Sequence, residues 1–433
     1  MAFEVRTNTA IDESIYYKKH KSGLDVYIVP KKMSTSYALF GTKFGSIDNK
    51  FICDGRETVL PDGIAHFLEH KMFENEDGTD TFARYAKTGA SANAYTTFER
   101  TCYLFSATEN FYESLEILLD FVTHPYFTKE TVEKEQGIIG QEIRMYDDNP
   151  GWQLYFGMLT GLYHNNTVRI DTAGTTETIA EITPELLFDA YNAFYNLDNM
   201  ALCICGDVNA DEVDKVCDKV LKYVKAPEIK RIYPDEPDGI YKEFVTKKLE
   251  VAMPMFACGI KDNKHETGEA LARKQAEYDI LLDIIFGKSS SFYTRLYEEG
   301  LIDSSFSFGY EASETFAHCE ISGSSDKPEE VYGLIKKEIA DFKKNGIDKE
   351  TFERIKRANY ASSLRAFNST EDVANDLMVH VFTGYDMLKY PELIASVTYE
   401  DVCARLEKDF ADNAFVLSTI YPRQKSKGQY IND

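Results

Sequence analysis

Nowhere in its 433 residues does this chain hold an apolar run long enough to cross a bilayer, which takes about 20 residues. A membrane helix is therefore not expected. Cationic excess is missing too: 48 Lys and Arg against 72 Asp and Glu leave a formal net charge of -24. Such a surface repels phosphate backbones, so no nucleic acid partner is expected. CxxC pairs are absent. The eight cysteines (Cys53, Cys102, Cys203, Cys205, Cys217, Cys258, Cys319 and Cys403) are scattered, which points to reduced, mostly buried thiols of a cytoplasmic protein rather than a disulfide frame or zinc knuckle. Residues 1–32 mix charges into every stretch and never build the apolar core of a secretory signal, so export is not expected.

What is there is enough apolar material, 43% of the chain, to bury a large core, and enough length for two or more domains. Pro227, Pro234, Pro237 and Gly239 fall within the polar stretch Lys225–Glu243 and should interrupt both helix and sheet. This divides the chain into 1–226, a linker 227–243, and 244–433. The halves echo one another. Phe82–Gly89 leads into strand-like residues as Tyr293–Gly300 does, and the helix opening Phe127–Thr131 returns as Ile347–Thr351. The two offsets differ only by a small insertion, as a duplicated domain allows.

β-Branched and aromatic content predicts strands near Leu24–Val29, Ser36–Gly45, Ser91–Phe98 and Thr101–Thr108. Helical periodicity marks Asp62–Phe73, Glu109–Thr123, Lys129–Tyr146 and Pro184–Tyr195, with Asp62 and Thr128 as N-caps. Hairpins with helices between them suggest an α+β class, with mixed or antiparallel sheets packed by helices rather than a doubly wound parallel sheet.

One helix carries chemistry. Within Asp62–Phe73 stands His66-Phe-Leu-Glu-His70, and on a helix two imidazoles four residues apart project from one face and can grip one metal ion. Glu69 lies near that face without being forced into the coordination shell, free to take a proton from an activated water. This is the inverted form of the His-Glu-x-x-His zinc motif. A catalytic zinc commonly takes three protein ligands and keeps a fourth position for water. Glu135 and Glu142, almost two turns apart on the predicted helix Lys129–Tyr146, lie on nearly one face, and either could supply the third.

His66–His70, with Glu142 on the later helix, Ala92-Asn-Ala-Tyr-Thr-Thr97 and Met200–Asp207, resembles the pitrilysin/insulinase family of zinc metallopeptidases, peptidase family M16. The resemblance implies two homologous α+β domains of the mitochondrial-processing-peptidase type, clam-like around a central cleft. It implies one Zn2+ on His66, His70 and Glu142, with Glu69 as general base and Glu135 as a helper carboxylate. It further implies that peptide substrates lie as an added strand against Ala92, Asn93, Ala94 and Tyr95, where backbone pairing gives affinity and alternate side chains enter pockets.

The second half lacks the motif: on its echo of the Glu142 helix, Ser362 stands at the matching position. An arginine and a tyrosine that active members carry there are also missing, since Tyr297 and Asp303 occupy the expected places and Arg295 is displaced by two. Oxyanion stabilisation is often a large part of hydrolytic catalysis, so the resemblance implies a partner: a second M16-type subunit supplying the Arg/Tyr pair in a heterodimer, or a homodimer. A non-proteolytic scaffold that binds zinc and peptides is the competing reading. A small-molecule lyase, as in S-ribosylhomocysteine lyase, is a third, and chain length argues against it.

Overall fold

The computed structural model describes residues 2–263 and 265–423. In the first half the strands are β1 (Glu4–Asn8), β2 (Glu13–Lys19), β3 (Asp25–Pro30), β4 (Ser36–Thr42), β5 (Lys50–Cys53), β6 (Arg56–Val59), β7 (Ser91–Thr96), β8 (Thr101–Ala107) and β9 (Met200–Gly206). Its helices are α1 (Ile64–Lys71), α2 (Thr81–Thr88), α3 (Phe111–Thr123), α4 (Lys129–Asp147), α5 (Pro150–Leu162), α6 (Thr176–Ile179), α7 (Pro184–Phe194) and α8 (Ala210–Val220). β10 (Ile229–Arg231) follows. The second half holds β11 (Phe244–Leu249), β12 (Met255–Lys261), α9 (Gly268–Phe286), α10 (Ser291–Glu298), β13 (Ser307–Ala312), β14 (Ala317–Ser324), α11 (Pro328–Asn345), α12 (Lys349–Ala366), α13 (Thr370–Thr383), α14 (Tyr390–Ser396), α15 (Tyr399–Asp409) and β15 (Phe415–Pro422).

The duplication is visible in the sheets. The first runs β1-β2-β3-β9-β4-β8-β7 and the second β11-β15-β12-β14-β13. From β3 onward they match strand for strand, each with one parallel pair, β3 with β9 and β11 with β15, followed by antiparallel neighbours. The class is α+β with mixed sheets, as the hairpin pattern predicted. β4 and β9 are buried at every residue because helices cover both faces of this sheet.

Those covers are exchanged between halves. α5 lays Leu154, Met158, Leu159 and Leu162 against Leu249, Ala257, Val416 and Ile420 of the second sheet. Gly157 and Gly161 let it approach: a Cβ on either would come within 2.5 Å of Ser418 or Val416. α13 returns Val373, Ala374, Leu377 and Met378 to the outer face of the first sheet, on Leu39, Cys102 and Cys203. Each fully buried aliphatic side chain contributes about 1.5–3 kcal/mol as an upper figure, so the two exchanged helices bind the halves far more strongly than any single polar contact between them.

Two local expectations change. α1 starts at Gly63, φ 91°, with no side-chain cap, and Asp62 instead accepts a hydrogen bond from Asn49 Nδ2 at 2.7 Å. The Ala173–Gly174 backbone passes against Gly63, where a Cβ would collide with the Ala173 carbonyl, so the turn is made by the residue that tolerates positive φ. Thr128 does cap α4, in a reciprocal pair with Thr131. The stretch 227–243 is not free of sheet: Ile229–Arg231, between Pro227 and Pro234, pairs with β5. It is also strapped down, for Glu236 accepts the backbone N–H groups of His164, Asn165 and Asn166 and the Lys261 ammonium at 2.6–2.9 Å. No described helix is long and apolar enough to cross a membrane.

Candidate metal centre

Helix α1 holds His66 and His70 on one face, their rings edge-on with centroids 4.6 Å apart. α4 brings Glu142 opposite: its Oε1 is 3.7 Å from His66 Nε2 and its Oε2 3.5 Å from His70 Nε2. One donor atom from each lies within 4.8 Å of the others, the one such group of three among the described residues. Donors bound at about 2.0–2.1 Å around a tetrahedral ion stand roughly 3.4 Å apart. Two imidazoles and a carboxylate at this spacing fit a zinc ion, with room for a fourth ligand.

Partners behind the donors set their roles. His70 Nδ1 is 3.0 Å from Glu135 Oε1, so it donates there and leaves the Nε2 lone pair turned to the metal position. Glu135 is 6% exposed and touches no other donor of the group; it orients the ring. Burial pushes the His66 imidazole down to about 3, with His70 adding to the shift, so the ring is neutral as a metal ligand must be. For His70, burial works downward, but the Glu135 bond and the charges of Glu69 and Glu142 carry it above its ordinary value. The Tyr146 hydroxyl donates to Glu142 Oε1 at 2.8 Å and steadies the third donor.

Glu69 is buried, and the Thr96 hydroxyl donates to its Oε2 at 2.7 Å. Burial pushes its carboxyl up to about 7, against the pull of that hydrogen bond. The helix thus directs His66, Glu69 and His70 into a cavity of about 310 Å3, which Glu142, Tyr146 and Trp152 complete on one side. The Trp152 indole donates to Asp171 and stacks on Tyr146.

Strand β7 forms another wall through Asn93, Ala94, Tyr95 and Thr96 and is the last strand of its sheet. Thr97 N–H donates to the Arg100 carbonyl at 2.8 Å, which makes 97–100 a hydrogen-bonded pair. Alternation along an antiparallel ladder then turns the backbone groups of Asn93 and Tyr95 toward β8 and those of Ala92, Ala94 and Thr96 toward the open edge. Ala92 lies beyond the cavity wall. The Tyr95 ring is on the covered face, its hydroxyl donating to Asn375 Oδ1 of α13 at 2.9 Å.

Thr96, Tyr146 and Trp152 were not singled out in the sequence. Tyr146, one turn after Glu142 on the same helix face, and Trp152, the sole tryptophan, carried the readable signals; Thr96 carried none. In the second half Arg295 pairs with Glu338 at 3.4 Å and Tyr297 is exposed. No described residue of 244–433 lines the cavity.

The family model described as Insulinase (Peptidase family M16) matches residues 56–176, and that described as Peptidase M16 inactive domain matches 181–359. A Bacillus subtilis protein named uncharacterized zinc protease YmfH is 40% identical over 420 residues, 95% of this chain and 98% of its own. The chain belongs to peptidase family M16. An M16-like peptidase from Alicyclobacillus acidocaldarius has the same fold, with a TM-score of 0.92, 35% identity and coverage of 98% and 99% of the two chains. A Helicobacter pylori protease at 20% identity shares the fold at a TM-score of 0.82, covering 98% of this chain and 100% of its own. The boundary between the two M16 family matches falls before β9, which nevertheless lies at the centre of the first sheet.

Proposed function

We propose that this M16 protein is a zinc metalloendopeptidase, or the zinc-bearing subunit of a two-chain one, with 1–226 as catalytic domain, 227–243 as the join and 244–433 as a homologous domain without ligands. The observation that carries the reading is a buried Glu69 carboxylate, aimed by Thr96, beside three metal-type donors under an open sheet edge. When bound at His66, His70 and Glu142, zinc supplies Lewis acidity for a carbonyl and a water of lowered pKa. Glu69 accepts the proton of the attacking water at its carboxylate and returns it to the leaving amine. Glu135 keeps the His70 tautomer. Peptide enters as an added strand along Ala92–Tyr95, pairing with the outward groups of Ala92 and Ala94, while Asn93 and Tyr95 shape the surface beside it.

Among the described residues no arginine lines the cavity, which supports a partner supplying the Arg/Tyr pair. The same gap supports the scaffold reading. The described cysteines are all free, and we place the protein in the cytoplasm.

Metal analysis and peptide cleavage by the purified chain, alone and with a second M16 subunit, decide between these. The proposal expects bound zinc in wild type and Glu69→Gln, and cleavage only in wild type. Undiminished turnover by Glu69→Gln overturns its role; silence of the wild type toward every peptide in both settings establishes the scaffold.

A further inference from the structure

A second cavity, of about 290 Å3, lies in the half without metal ligands, between α9, α12, α13 and α14. Its size sits near the lower end of small-molecule sites, about 300–1,000 Å3. Its place in the fold is that of the metal cavity. Thr96 closes the β7–β8 hairpin as Ala312 closes β13–β14, and Tyr146 sits as far along α4 as Ala366 along α12. The first of each pair lines the metal cavity, and the second lines this one. Duplication kept the hollow and changed its chemistry.

Most of the wall is apolar, including Leu271, Ala272, Phe367, Val379 and Met387. Three of its polar groups are satisfied: Gln275 donates to Asp279 and the Tyr310 carbonyl, Ser363 to the Tyr360 carbonyl, and Thr383 to the Val379 carbonyl. Asp376, His380 and Tyr390 are different. Among the described residues none of the three side chains makes a hydrogen bond, and no Lys or Arg lines the cavity. Asp376 and His380 stand four apart on α13, hence on one face, and the His380 and Tyr390 rings are 5.1 Å apart. Asp376 is on the solvent side. Partial burial and the nearby Asp372 push its carboxyl up to about 6. Burial pushes His380 down to about 4, so its imidazole is neutral and offers a lone pair.

Each of the three can accept a hydrogen bond beside the apolar pocket: a carboxylate at its solvent side, one nitrogen of a neutral imidazole and a phenol oxygen. A primary ammonium carries three donors. A carboxylate or phosphate would meet Asp376 and no described cation, and a neutral alcohol would bring no positive charge to that carboxylate. We infer that this cavity binds a small organic ammonium ion, its apolar body against Leu271, Phe367 and Val379 and its nitrogen on Asp376, His380 and Tyr390.

Calorimetric titration of the zinc-loaded full chain with n-hexylammonium, 1-hexanol and hexanoate tests this. Hexylammonium should bind at least tenfold more tightly than hexanol, and hexanoate should give no saturable heat. Asp376→Asn should bring the amine down to the affinity of the alcohol. Val379→Trp, which fills the hollow, should abolish both while thermal unfolding reports an intact fold. Removing zinc with a chelator should leave amine binding unchanged. Equal affinity for amine and alcohol, wild-type amine binding by Asp376→Asn, or loss of binding with the metal would each overturn the assignment.

Discussion

Strands β7 and β13 end the same sheet order, follow the same kind of short helix and turn into their partners through the same bond, Thr97 to Arg100 in one and Ser313 to Phe316 in the other, both 2.8 Å. Their edges differ. Along β7 the outward Ala94 N–H meets, among the described residues, only the side chain of its neighbour Asn93. Along β13 the outward Tyr310 carbonyl is taken by Gln275 Nε2 of α9 at 3.1 Å. α1 has 8 residues, whereas α9 has 19, and its added turns carry Gln275 to the edge. An open strand edge invites pairing and is ordinarily blunted. One copy blunts it; the copy with the metal donors leaves it open.

The donors differ in the same sense. Phe73 packs on Phe82 as Phe286 packs on Phe292, and counting back seven and three residues from each reaches His66 and His70 in one half and Asp279 and Asp283 in the other. The aspartates accept amide hydrogens from Gln275 and Asn359. One helix position thus carries metal-type donors in one copy and aspartates bonded to side-chain amides in the other.

The sharpest break in this comparison is metal content. His66→Ala or His70→Ala should reduce bound zinc from one ion per chain to none by elemental analysis, while Asp279→Ala or Asp283→Ala should leave it at one. Next in size is Glu135→Gln, which should weaken zinc roughly 10–100-fold in competition with a chelator. Ile355, which holds the same place on α12 as Glu135 on α4, has no such role, and Ile355→Val should leave zinc affinity where it is.

The edges can be compared directly. Ala94→Pro removes one outward N–H, a loss of about 1 kcal/mol or somewhat more, and should lower kcat/KM for peptides by about tenfold with zinc content unchanged. Phe308→Pro, at an outward position of β13, should leave kcat/KM unaltered. The smallest effect concerns the hairpin turns that follow β7 and β13, where Glu99 of one and the neutral Thr315 of the other hold the same place. Burial pushes the Glu99 carboxyl up to about 7, against a hydrogen bond from Ser313. A folded pKa above the ordinary 4.5 means the folded state holds the proton longer, so stability is lost as pH rises from about 4.5 to 7. Glu99→Gln should therefore melt higher than wild type at pH 8 and with it at pH 4.

Much of this was legible in order along the chain. Four-residue spacing on a helix makes His66 and His70 a pair whatever surrounds them, and Thr128 before a periodic run caps α4 because capping is local. Alternation marked β7 and β8, and two offsets marked the duplication. What stayed hidden joins distant residues: Thr96 reaches Glu69, 27 positions away, and Tyr95 reaches Asn375, 280 away. Gly63 displaced Asp62 as the start of α1 because a loop far later in the chain presses on it.

The sequence by itself determined which residues could ligate a metal and which faces had to be buried, since periodicity and side-chain chemistry travel with the chain. Only the tertiary structure decided that Glu142 closes the group while Glu135 stands behind His70, that each half covers the other's sheet, and that β7 keeps its edge. Apolar surface is satisfied by any partner of the right shape, so its pattern tells that a face is covered and not by what.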